Sequence, residues 1–149
     1  MEKKKISNKY TLWMVVCLAV FVFRVTAQLI QKFYSFDFLP PFEAWYSGAL
    51  AYNWLLASQI IIITVMIWVI SAFARGSVKP KRKLGFWLVI FGSSYFAVML
   101  LRLIAGFTFA ANHYWFGAHI PAFFHIVLAT FILLVGHFHF KYGKPKVNT

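Results

Sequence analysis

The chain has 149 residues, of which 62% are hydrophobic and 12% charged, and its mean hydropathy is +0.73. A protein of this size cannot hide so much apolar surface inside a water-soluble fold, so lipid has to be the solvent for most of it. The formal charge of +12 invites a nucleic-acid reading, but the bases are confined to segments flanking apolar runs, which is how membrane topology is written, and no nucleic-acid partner is expected.

Four apolar runs predict an all-α, polytopic up-down bundle of four transmembrane helices in a single transmembrane domain over residues 1–149. The spans cover about residues 10–33, 47–74, 84–107 and 121–140, each near or above the roughly 20 residues that cross a hydrocarbon core. The first follows Lys3, Lys4 and Lys5; it is too long for a signal peptide and no small-residue cleavage motif follows, so it reads as a retained helix. It contains Cys17, the only cysteine, which excludes an internal disulfide and a cysteine metal cage and leaves a packing role. Pro40 and Pro41 mark the first connection as a turn, and Gly76 and Pro80 the second. The third, Thr108 to Ile120, is aromatic and bracketed by Gly106 and Gly117, a pattern open to a short interfacial helix or a re-entrant loop. Pro121 suits the first turn of the last helix.

Orientation follows from the flanks. Lys3, Lys4, Lys5 and Lys9, then Arg75, Lys79, Lys81, Arg82 and Lys83, then Lys141, Lys144 and Lys146 all fall on one side of a four-span protein. The opposite loops offer Lys32 against Asp37 and Glu43, so the positive-inside rule puts both termini in the cytoplasm of a cell membrane, most simply a bacterial-type inner membrane. Aromatics agree: Tyr10, Trp13, Trp68, Trp87 and Tyr142 belt the inner edge, and Tyr34, Trp45, Tyr46, Tyr114 and Trp115 the outer one.

Polar groups inside a bilayer are retained mainly where they face the bundle or a wet cavity. Arg24, Gln28 and Gln31 share one face of the first span, and the third carries Arg102 on a face with Tyr95, Met99 and Gly106. The second brings Asn53 and Gln59 to similar depths, and the fourth brings His125, so a ligand site is expected in the outer half of the bundle. Side chains lean toward their helix N-terminus, which turns both arginines away from outer water. They are expected either to pin packing through Gln28, Gln59, Glu43 or backbone carbonyls, or to meet a ligand. A guanidinium forks toward carboxylate, phosphate or a polarised carbonyl, so that ligand is anionic or quinone-like.

On the fourth span His125, Ala129, Ile132, Gly136 and His139 share a face, with the two histidines 14 residues, or roughly 21 Å, apart. This one helix resembles the histidine-bearing helix of the cytochrome b family. The resemblance implies haem b, with His125 and His139 as axial ligands and the small residues admitting the porphyrin. No other span has a histidine, so the second ligands would come from a two-fold mate. For His139, beside His137 and Lys141, the other reading is an interfacial cluster at the cytoplasmic helix end. A transition-metal site from His113, His119 and His125 with Glu43 or Asp37 is a further expectation, on a spacing that is not diagnostic. Ser58, Ser93 and Ser94 read as packing residues.

Three function classes follow. The preferred one is a binding or accessory subunit, in a homo-oligomer or larger membrane complex and not an enzyme on its own, whose outer pocket holds an anionic or quinone-like ligand. The second is a b-type haem electron-transfer protein. The third is a small transporter or channel, disfavoured because residues 12–23 and 60–70 offer few polar groups for an inner path. An alkaline phosphatase fused after Thr149 is expected to be inactive, and one inserted between Thr108 and Ile120 active; the opposite result would reverse the orientation.

Overall fold

In hydrocarbon every backbone N–H and C=O has to bond within the chain, and long apolar runs meet that demand as helices. The computed structural model describes residues 2–34, 36–46 and 48–144, with side chains from Ser7 onward. Its elements are α1 (Glu2–Phe33), α2 (Phe42–Trp45), α3 (Tyr52–Ala74), α4 (Arg82–Phe107) and α5 (His119–Tyr142). Among the described residues there is no strand beyond one isolated bridge between Lys81 and Lys144. The segments Ser7–Phe33, Tyr52–Ala74, Arg82–Phe107 and His119–Tyr142 are each long and apolar enough to cross a membrane. The chain thus has the makings of a small multi-pass membrane protein.

Several boundaries differ from expectation for local reasons. Ser47 and Lys146 lie outside the described residues, as do the side chains of Lys3, Lys4 and Lys5. Gly48 to Leu50 form bends, Gly48 with φ of +70°, so α3 starts only at Tyr52. The first connection is more than a turn: Pro41, extended at φ −60° and ψ 155°, opens the four-residue α2. The aromatic segment 108–118 forms a chain of turns without a helix of its own. Pro121 falls in the first turn of α5, where a missing N–H leaves no bond unmade.

The helices are not equivalent. α1 packs on α3 and on α5, whereas the backbone of α4 approaches only α5. α1, α3 and α5 share a core of Met14, Cys17, Phe21 and Val25 with Met66, Ile70 and Phe73 and with Phe131 and Phe138. Phe73 meets Phe138 edge to face at 4.7 Å. α4 is appended to the outside of this trio, and it holds on by backbone proximity. A Cβ on Gly85 would lie 2.1 Å from the Phe140 nitrogen, and one on Gly136 would lie 2.9 Å from Leu88 Cβ and 3.0 Å from the Val89 nitrogen. Glycines at these points let two helices approach closely where no hydrophobic effect is left to drive them together.

Three bonds gather one end of the molecule. Ser7 Oγ donates to the Phe73 carbonyl at 2.7 Å, the Lys81 N–H donates to His139 Nδ1 at 3.1 Å, and the Tyr10 hydroxyl and His137 Nδ1 are 2.7 Å apart. The described bases of all three flanking clusters are exposed at this basic end. The loops holding α2 and residues 108–118 form the far end.

Gly136→Val forces the α4 backbone away from α5 and should lower stability by about 1–3 kcal/mol. Ala97→Leu, on the exposed side of α4, should leave it unchanged. Thermal unfolding in detergent distinguishes the two; equal midpoints would mean that α4 does not depend on this contact.

Candidate functional site

Polar side chains on α1 are brought to the interior because the helix is flanked on two sides. Arg24, Gln28 and Gln31 are all buried, at 6%, 0% and 8% exposure. They fall into different environments. Gln31 is fully used by the loop above it: its Nε2 donates to the Phe36 and Leu39 carbonyls at 3.2 and 3.3 Å, and its Oε1 accepts from the Phe36 N–H at 3.0 Å. It closes the turn after α1 and has little left for a ligand. Asn53 is exposed on α3 and stands apart from the buried group.

Arg24 and Gln28 are poorly satisfied. Arg24 Nη2 donates to the Trp45 carbonyl at 3.3 Å, its guanidinium lies 5.7 Å from the Phe124 ring centre, and its Nε has no partner. Gln59 of α3 donates through Nε2 to Gln28 Oε1 at 3.2 Å, leaving Gln28 Nε2 and Gln59 Oε1 without partners although both side chains are buried. Three orphan polar atoms are thus carried by Arg24, Gln28 and Gln59, two of them at the α1–α3 contact and one a turn away on α1, each costing about 1–3 kcal/mol if left dry. The chain has only three acids, Glu2, Asp37 and Glu43, and no described carboxylate pairs with either Arg24 or Arg102: both bond to carbonyls.

Arg102 is the opposite case. Its Nε and Nη2 both donate to the Trp115 carbonyl, at 3.0 and 2.7 Å, and its guanidinium stacks 4.2 Å from the centre of the Trp115 ring. Nη1 meets Met99 Sδ at 4.0 Å. Gly106, one turn on, leaves room for the loop, since a Cβ there would lie 2.2 Å from the Phe116 carbonyl oxygen. The loop descends to the charge, so Arg102 does not have to climb to water. It is a clamp for residues 108–118.

Tyr95 and His125 form a third group, the hydroxyl 2.5 Å from Nδ1, where α4 packs on α5. The outer-half residues are thus divided: Gln28 and Gln59 pair with Arg24 one turn away on α1, Tyr95 and His125 pair between α4 and α5, Arg102 and Gln31 are occupied by loops, and Asn53 is outside.

The histidine face of α5 is packed against α4. Gly136, which was to admit the porphyrin, is covered by Leu88 and Val89 of α4. His139 is buried and its Nδ1 receives the Lys81 N–H, so it caps the start of α4. His113 receives the Trp115 N–H at 3.2 Å through Nδ1, and His119 stacks on Phe107 at 4.1 Å. Among the described residues no three His, Cys, Asp or Glu side chains are placed to hold a metal ion; Glu43, His113 and His119 border one cavity without forming such a group, and His125 lies apart from it.

Two cavities open at the far end. One, of about 520 Å³, is lined by Gln31, Lys32, Asp37, Leu39, Phe42 and Glu43. The other, of about 330 Å³, lies between Glu43, Tyr46, His113 and His119. Leu39 both lines the first cavity and packs on the cluster of Ala27, Trp45 and Phe124 beside Arg24. Sequence reasoning missed Trp45 as the cover of the site: it is buried, its Nε1 donates to the Pro40 carbonyl at 2.9 Å, and its ring stacks on Phe124, so it is no interfacial belt residue. Pro40 and Pro41 were the available signal.

Arg102→Leu orphans the Trp115 carbonyl and frees the loop, with an expected loss of about 1–3 kcal/mol. Hydrogen exchange should rise across residues 108–118; unchanged protection there would show that the clamp is not needed. No known protein family, no characterised protein and no solved structure matches this chain.

Proposed function

We propose that this chain is a binding or accessory subunit of a cell membrane, in a homo-oligomer or larger complex, with its basic end in the cytoplasm. Its ligand is anionic or quinone-like and is held between α1 and α3 by Arg24, Gln28 and Gln59. The observation that carries this reading is the state of Arg24: a buried guanidinium with no carboxylate, one 3.3 Å bond to a carbonyl and an orphan Nε, next to two further orphan amide atoms. A permanently charged group in so incomplete a setting is stabilised by an oxygen arriving from outside the chain. The nearest described cavity, of about 520 Å³, lies beyond Leu39, which would have to move to admit a ligand. Tyr95 and His125 stand beside the site as a hydrogen-bonded pair suited to passing a proton.

The test uses opposite signs at the two arginines. Replacing a badly satisfied buried charge by an apolar side chain is often neutral or stabilising by about 1–4 kcal/mol. Arg24→Leu should therefore keep or raise the unfolding temperature of delipidated protein while abolishing retention of a co-purifying lipid or quinone, read by mass spectrometry of an organic extract. A fall in stability with retention unchanged would make Arg24 structural and remove the site.

A further inference from the structure

The orphan atoms also say which form of a ligand would complete the site. Gln28 and Gln59 are joined by one hydrogen bond, so whichever way the two amides are turned, the pair leaves one donor and one acceptor over. Arg24, one turn below Gln28 on the same face of α1, adds a second donor. Two donors and one acceptor are the complement of a hydroxyl, whose oxygen accepts twice and whose hydrogen donates once. A ketone oxygen accepts both donors but leaves the glutamine acceptor dry.

Depth and charge argue for a neutral head. Arg24 lies four residues beyond the midpoint of the Ser7–Phe33 span, about 6 Å toward the far end, where a phosphate would be buried in hydrocarbon. The far-end cavity on the other side of Leu39 carries Asp37 and Glu43 against Lys32, a rim that repels anions. We infer that the site between α1 and α3 discriminates by redox state, binding a membrane-soluble hydroquinone through one of its hydroxyls in preference to the corresponding quinone. The inference rests on the ligand reading above and sharpens it to one member of the quinone-like class.

The test measures binding of a short-chain alkyl benzoquinone, and of the hydroquinone made from it with dithionite, to the full chain in lipid nanodiscs. With one buried hydrogen bond at stake, the hydroquinone should bind about tenfold more tightly than the quinone, a preference that Gln59→Met should narrow. Equal affinity for the two forms, or tighter binding of the quinone, overturns the inference and leaves the Arg24 site standing; a bound water would then be completing the amide pair. Binding of neither form, together with retention of phosphatidylglycerol that depends on Arg24, overturns it in favour of an acidic lipid. Loss of all retention removes the site itself. The preference is read on the unmodified protein, so the test does not depend on the variant folding.

Discussion

A guanidinium on a helix in hydrocarbon has to be met by oxygen, and in this chain the oxygens that come are carbonyls of the far-end loops. Trp45 reaches Arg24 and Trp115 reaches Arg102. That single requirement shapes the far end: it draws α2 into the groove between α1 and α5, and it folds residues 108–118 back over α4. The two solutions are unequal. Arg102 receives two short bonds and an aromatic face, whereas Arg24 receives one long bond. Within one fold Arg102 holds a loop, and Arg24 keeps an unpartnered Nε.

Much of the fold was legible because insolubility in water is a property of composition. Long apolar runs had to become helices, and their number and order could be read directly. The glycines were harder. Gly136 was visible as a small residue beside two histidines, and on one helix alone a gap for porphyrin and a gap for a neighbouring backbone look the same. Only the packing of Leu88 and Val89 against it decides. The position of α4 was equally hidden, since hydropathy says that a helix is in the membrane but not which helices it touches.

The candidate site was legible as a set of residues and not as a set of partnerships. Arg24, Gln28 and Gln31 share a face by simple periodicity, yet Gln31 is spent on the Phe36 and Leu39 backbone while Gln28 turns to Gln59. Short loops with proline change partners over a few residues, and no periodic pattern records that. The same applies to Trp45, whose burial follows from the angle that Pro41 gives to α2. A reading that separates satisfied from unsatisfied polar atoms needs coordinates, and it is that separation which distinguishes the two arginines.

The outboard attachment of α4 has a consequence for assembly. α4 and α5 form a hairpin joined at its tip through the Arg102 clamp and along its length through glycine, while α1 and α3 form another. The Phe124 wall beside Arg24 belongs to α5, which follows α1 and α3 in the chain. Until the second hairpin docks on the first, Arg24 lacks its Phe124 wall, so the surroundings of this one charge depend on both halves of the chain.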